Sequence, residues 1–356
     1  MKKILIIQNK RIGDVLLSSI IANNIKSVFP ESEVHFFVYD YAAAVLRNNS
    51  NIDKIIEVND KELKKITNLL KQIRVVKRNN YDIIFDAYSK FQSRLICLFS
   101  GTEFRIGFKR KHKKLKLPFY THAVDFLDHS TKICGKALED RINIITSVFH
   151  LEVPNYVPKI YLTEAEKKYN ITASIKNPII MIGVLGSTPQ KSMPYDYMVQ
   201  LIDYITSNYN VTILFNYAPH QKDEALNIYE QCSQKAQINM DIYENSVRGF
   251  LKLMNQCDLL ISNEGGSVHM AKALSKPTFT IYSPYILKDH WASFEDGITN
   301  DSIHLLEEKP KLFTTSREDR KKIEADPTAL YRELTPEMII KKMNLFLKHH
   351  LKHALK

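Results

Sequence analysis

Short apolar runs alternate with stretches in which apolar residues recur at helical spacing. Residues 3–7 (KILII) are almost continuously apolar, the pattern of a strand covered on both faces. The following segment, RIGDVLLSSIIANNIKSVFP, carries apolar residues at helical spacing until Pro30 ends it. Strands are then predicted at 33–40 (EVHFFVYD), 52–58 (IDKIIEV) and 81–88 (YDIIFDAY), with a short helix at AAAVLRNN. A polar joint, LTEAEKKYNITASIKN (162–177), interrupts this rhythm. It resumes with strands at 178–184, 210–216, 257–262 and 277–283, and helices at 195–207, 221–233, 247–256 and 267–274. Strand and helix in alternation predict mostly parallel sheets, and so an α/β protein of two doubly wound domains.

The predicted boundaries are 1–165 for the first domain, 166–177 for a linker, 178–330 for the second domain and 331–356 for a terminal helix. In that last segment Ile339, Ile340, Met343, Phe346, Leu347, Leu351 and Leu355 make an apolar stripe beside a basic face. Such a helix can pack back on the amino-terminal domain or lie on a membrane.

A length of 356 residues suits two medium domains, and 44% hydrophobic against 25% charged residues excludes a disordered or fibrous chain. The apolar run at the amino end stops at Gln8 and Asn9, too soon for a signal peptide, and no run approaches the roughly 20 apolar residues of a membrane span. These features predict a cytoplasmic protein. Cys97, Cys134, Cys232 and Cys257 are widely spaced, without a CxxC pair, so no zinc knuckle or disulfide framework is expected.

Three loops carry candidate chemistry. The first, Asn9-Lys10-Arg11-Ile12-Gly13-Asp14, follows the first strand. Ligands of open α/β sheets bind beyond the carboxyl ends of strands, where Asp14 can serve as a general base or simply cap a helix. Gly13 stands alone there, so the G-x-G-x-x-G dinucleotide fingerprint is missing and a nicotinamide oxidoreductase is disfavoured. The second loop is Gly186-Ser187-Thr188-Pro189-Gln190-Lys191, whose amides and hydroxyls can hold phosphate oxygens while Lys191 neutralises them; a Ser/Pro turn with a solvated lysine is the alternative. The third is Ser262-Asn263-Glu264-Gly265-Gly266-Ser267-Val268-His269. An acidic residue, two glycines and a helix start favour a diphosphate, with Glu264 on a sugar hydroxyl and His269 near a phosphate.

At that third string the chain resembles the bacterial heptosyltransferases, the family-nine glycosyltransferases of lipopolysaccharide core assembly. The segment from Asn263 to Thr278, running on to Ile281-Tyr282-Ser283-Pro284, carries the likeness. Arg11 to Leu17, Gly186-Ser187 with Lys191 and Pro194, and Arg105-Ile106-Gly107-Phe108 extend it in order over about residues 1–330. The resemblance implies a GT-B type fold of two facing Rossmann-like domains with parallel sheets. It implies an acceptor held by the first domain and a nucleotide sugar, ADP-heptose first, held by the second. Transfer would invert the anomeric centre without a bound metal or resident cofactor. Asp14 falls on the family's catalytic base and Lys191 on its phosphate-binding lysine; Gly13, Gly186, Ser187, Glu264, Gly265, Gly266 and His269 fall among the donor contacts. This chain departs from the family in having Glu264 where Asp is commoner, Gly265 for Thr or Ser, and Ser283 for Gly, which bears on the donor more than on the reaction class.

The chain carries 50 Lys and Arg against 39 Asp and Glu, a formal charge of +11. Lys109, Arg110, Lys111, Lys113, Lys114 and Lys116 concentrate six of those cations in one segment. They suit an anionic glycolipid acceptor or the inner-membrane surface, and with the basic terminal helix predict peripheral attachment. A nucleic-acid binder would share this charge, but no helix-turn-helix, zinc finger or stacking strand accompanies it. His122, Asp125 and His129 are candidates for the acceptor side, and His290 and Trp291 for the border of the nucleotide pocket or the closure of the second domain.

Overall fold

The computed structural model describes residues 1–109, 118–131, 134–313 and 328–356. They form two compact units, Met1–Tyr161 with Asp289–Ser293, and Leu162–Lys288 with Phe294–Lys356. The basic residues Arg110, Lys111, Lys113, Lys114 and Lys116 lie outside the described residues.

The first unit is built on six strands, β1 (Lys3–Ile7), β2 (Glu33–Tyr39), β3 (Lys54–Val58), β4 (Ile83–Asp86), β5 (Phe104–Phe108) and β6 (His122–Val124). All pair in parallel, in the order β3-β2-β1-β4-β5-β6. The strand β1 is apolar throughout because it is central, and Ile4, Leu5, Ile6 and Ile7 are fully buried. Its helices are α1 (Ile12–Val28), α2 (Ile66–Arg78), α3 (Phe91–Phe99) and α4 (Lys136–Thr146). One core joins Leu69, Ile73 and Val76 of α2 and Ile96 and Cys97 of α3 to Leu5, Ile7, Phe37 and Ile84 of the sheet. The helix α1 is apolar nearly all round and correspondingly buried from Val15 to Ala22.

The second unit repeats the plan with β7 (Ile179–Gly183), β8 (Thr212–Asn216), β9 (Ile238–Asn239), β10 (Leu259–Asn263), β11 (Thr278–Ile281) and β12 (Asn300–Ile303). Its helices are α5 (Tyr195–Asn208), α6 (Lys222–Gln231), α7 (Val247–Gln256), α8 (Gly266–Ala273) and α9 (Pro336–His350). The parallel order is β12-β11-β10-β7-β8-β9. Numbered within its own unit, each sheet therefore runs 3-2-1-4-5-6, the Rossmann order. The direction in which successive strands are added reverses between β1 and β4 in the first unit, and between β7 and β10 in the second. Those reversals open a crevice at the carboxyl ends of the strands.

Several expectations change. The helix α9 buries Ile339, Met343, Phe346 and Leu347 in the second unit's own core, against α5, β11 and β12, so this face is unavailable to the amino-terminal domain or to a membrane. AAAVLRNN is only partly helical, since the turn over Asp40–Val45 is a 3₁₀ helix. His122 lies on the short edge strand β6, too brief to show an alternation in sequence. His290 and Trp291 belong to the segment Asp289–Ser293 and so to the first unit, not to the closure of the second. There Ser130 N–H donates to Asp289 Oδ2 at 3.1 Å.

All four cysteines are buried and none forms a disulfide. Among the described residues no helix is long and apolar enough to cross a membrane, and no cluster of His, Cys, Asp and Glu suits a metal ion.

Candidate functional site

In the first unit the crevice between β1 and β4 is edged by Asp14 and Asp86. Asp14 occupies the first turn of α1, where the unpaired helix amides favour an anion. Its Oδ2 accepts only a long bond from Arg11 N–H, 3.4 Å, whereas its Oδ1 accepts from Arg141 Nη2 at 3.0 Å. Capping and ion pairing thus divide the two oxygens, and Oδ2 keeps room for another donor. Arg141 comes from α4 and is 8% exposed. Its Nε donates to Ser18 Oγ at 3.1 Å and its Nη1 to the Ala137 carbonyl at 2.8 Å. Ser18 Oγ in turn donates to Gln8 Oε1 at 3.3 Å. This chain of contacts fixes the carboxylate and holds a positive charge beside it. Gly13 is buried in the same helical turn.

Asp86 closes the end of β4 and is fully buried. Tyr120 Oη donates to its Oδ2 at 2.7 Å and Ser89 N–H to its Oδ1 at 2.7 Å. Burial pushes its carboxyl up to about 6, against the pull of those donors. The Tyr120 ring occupies the space where a side chain at Gly107 would stand, since a Cβ there would come within 2.4 Å of it. The glycine of Arg105-Ile106-Gly107-Phe108 is therefore a packing requirement of this network.

In the second unit the loops after β7 and β10 meet at the crevice. Asn263, buried at the end of β10, ties them together: its Nδ2 donates to the Gly183 carbonyl at 3.0 Å and its Oδ1 accepts from Met193 N–H at 2.9 Å. The Gly186 loop doubles back so tightly that a Cβ on Gly186 would stand 2.2 Å from the Lys191 carbonyl oxygen. Gly186 N–H donates to Ser192 Oγ at 2.9 Å, and Gln221 Nε2 donates to the Gly186 carbonyl at 2.8 Å. Ser283 Oγ donates to the Gln190 carbonyl at 2.8 Å, so this departure from the family pattern supports the same loop. Ser187 begins its exposed outer part.

Lys191 Nζ lies 2.8 Å from Glu264 Oε1. Glu264 is 7% exposed, and Oε1 receives no well-angled hydrogen bond among the described residues. A buried carboxylate oxygen left this way is suited to a ligand hydroxyl. Gly265 then turns at φ 156° and ψ −167°, a conformation open chiefly to glycine, and Gly266 begins α8. The first amides of α8 have no partners within the helix and can meet an anion. His269, in the following turn of α8, is largely buried.

The structure thus gathers Gly186, Lys191, Glu264, Gly265 and Gly266 at one crevice, while Gly13 and Asp14 stand at the crevice of the first unit. Sequence reasoning missed Arg141, Asp86 and the stapling by Asn263. Only Asn263 carried a signal, its place directly before Glu264. Of the suggested acceptor residues, His122 stacks on Phe104 with ring centroids 5.6 Å apart, and Asp125 pairs with Lys109 at 2.6 Å.

The family model for glycosyltransferase family 9 (heptosyltransferase) matches residues 69–322. Lipopolysaccharide heptosyltransferase 1 of Campylobacter coli is 23% identical over 291 residues, covering 79% of this chain and 83% of the relative. A glycosyl transferase family 9 structure from Veillonella parvula superposes with a TM-score of 0.78 at 18% identity, covering 97% of each chain. The structure of E. coli ADP-heptose lps heptosyltransferase II superposes with a TM-score of 0.72 at 16% identity, covering 98% of each. At these identities the structural likeness speaks for the fold, two Rossmann-like units of the GT-B kind.

Proposed function

Because the chain belongs to glycosyltransferase family 9, the heptosyltransferase family, and is a glycosyltransferase, we propose that it transfers heptose from ADP-heptose to a Kdo- or heptose-bearing lipopolysaccharide core acceptor. The observation that carries this reading is the Lys191–Glu264 pair at the β7/β10 crevice, set beside the Gly265 turn and the start of α8. A diphosphate needs a cation and backbone N–H donors, and a sugar or ribose needs a carboxylate acceptor. This crevice supplies all three. The likeness to lipopolysaccharide heptosyltransferase 1 and to ADP-heptose lps heptosyltransferase II supports the choice of sugar.

In this reaction the acceptor hydroxyl oxygen forms the new bond to the anomeric carbon as the bond from that carbon to the donor's diphosphate oxygen breaks, with inversion. The hydroxyl proton passes to Asp14, whose Oδ2 has room to accept it while Arg141 holds Oδ1. Lys191 and the amides around Gly186 and Gly266 take up the charge on the departing diphosphate, so the reaction proceeds without a bound metal. Glu264, one methylene longer than Asp, receives a hydroxyl of the donor on its Oε1. The protein works in the cytoplasm, at the inner-membrane surface where a lipid-anchored acceptor is presented.

Calorimetric titration with ADP, UDP, GDP and NAD in metal-free buffer tests the donor. Selective ADP binding is expected, followed by transfer from ADP-heptose to a Kdo-bearing lipid. Selective UDP or GDP binding would replace the heptose donor by another nucleotide sugar on the same fold, and binding of none would overturn the crevice assignment.

A further inference from the structure

The outer face of α2 combines charge and exposed apolar surface in a way the transfer reaction does not use. Its sequence, ITNLLKQIRVVKR, contains no acidic residue. Leu69, Ile73 and Val76 point into the core, which leaves Lys71, Arg74, Lys77 and Arg78 on the exposed side. None of these four cations has an ion-pair partner among the described residues; the nearby Lys64 and Lys65, by contrast, pair with Asp60 at 3.4 Å and Glu62 at 2.5 Å.

At the amino-terminal end of the same helix, before the four cations, stand two large apolar side chains, Ile66 at 64% and Leu70 at 43% exposure, one helical turn apart. The helix α3 packs beside α2 and adds Phe91 at 56% and Phe99 at 55% exposure. Its carboxyl end reaches α2 near Lys77, whose Cε lies 3.9 Å from where a Cβ of Gly101 would be. A water-facing helix does not need Ile66 and Leu70 uncovered, and a purely electrostatic partner does not use them.

From this juxtaposition we infer that the α2 face, with the exposed phenylalanines of α3, docks on an anionic lipid bilayer. The four unpaired cations match acidic headgroups, while Ile66 and Leu70 enter the interface between headgroups and acyl chains. The inference goes beyond the transfer reaction, because it holds whichever nucleotide sugar is the donor. It also places the contact on a helix separate from the 109–116 basic run and from α9.

Sedimentation of the full chain with vesicles of phosphatidylcholine alone, or with 30% phosphatidylglycerol, tests it. Binding is expected only with phosphatidylglycerol and is expected to weaken as salt is raised. Lys71→Gln with Arg74→Gln should lower vesicle affinity about 30-fold, at roughly fivefold per cation. Ile66→Ser with Leu70→Ser should lower it about tenfold or more, through lost apolar insertion. Both double variants alter exposed positions, so ADP titration and circular dichroism should match the parent, which separates failure of docking from failure of the donor assignment. Unchanged vesicle binding in both variants, or binding lost only on substitution within 109–116, would overturn the inference. So would an apolar variant that binds vesicles normally while the cationic variant loses random duplex DNA, which would identify a nucleic-acid face.

Discussion

The Lys191 ammonium stands 2.8 Å from the Glu264 carboxylate and joins the loop after β7 to the loop after β10. Each group partly neutralises the other, so an arriving diphosphate competes with Glu264 for the lysine. Removing Glu264's charge should free Lys191 for anions while depriving the sugar of an acceptor. Glu264→Gln is therefore expected to bind inorganic pyrophosphate several-fold more tightly and to transfer sugar more slowly. Lys191→Ala should weaken ADP by about 10- to 100-fold, as a charge-assisted contact of roughly 1.5–3 kcal/mol is lost, while adenosine binding changes little. Calorimetry with the three ligands decides; equal losses of ADP and adenosine would point to a collapsed loop.

Asp14 and Arg141 form the corresponding pair in the first unit. Asp14→Asn should lower turnover by about 10²- to 10⁴-fold and leave ADP affinity near that of the parent. Arg141→Gln leaves a carboxylate without its buried cation, so it should reduce both turnover and stability. A turnover loss in Arg141→Gln that Arg141→Lys partly restores would mark Arg141 as the residue that positions Asp14. Persistent turnover in Asp14→Asn would require another base.

Asp86 gives the first unit a pH dependence of definite sign. Its native carboxyl is raised to about 6, above the ordinary aspartate value near 4, so between those values the folded protein binds more protons than the unfolded chain. Stability is therefore fullest below pH 4 with respect to this group and is lost as pH rises through about 6. The loss amounts to about 3 kcal/mol at 1.36 kcal/mol for each unit. Urea unfolding of the parent and Asp86→Asn at pH 4 and pH 7.5 measures it: the parent's advantage should shrink by that order as pH rises. A constant difference would show that Asp86 titrates normally.

Gly186 and Gly265 are both demanding, for different reasons. A methyl on Gly186 would meet the Lys191 backbone at 2.2 Å, whereas one on Gly265 would meet nothing within 4 Å and only strain its φ of 156°. Gly186→Ala should displace the lysine loop and weaken ADP more than tenfold. Gly265→Ala should cost about 1–3 kcal/mol of stability, with a smaller change in affinity. Thermal melts and ADP titrations of the two variants separate strain from displacement.

The sequence by itself determined the two α/β halves, because a central parallel strand must be apolar on both faces and β1, β7 and β10 show this directly in their composition. It also marked the three candidate loops, where glycines and polar residues directly follow strands whose carboxyl ends face a crevice. Tertiary structure decided what local pattern does not encode. Lys136, Glu139, Asp140 and Arg141 are charged yet all are buried: Asp14 and Ser18, distant in sequence, meet Arg141, Lys136 pairs with Asp140, and Ser130 and Thr131 donate to Glu139. The apolar stripe of α9 had several places to go, and packing against α5, β11 and β12 chose one of them. Periodicity reports which face of an element must be covered; only the arrangement of the other elements decides what covers it, and which charges find a partner in the interior.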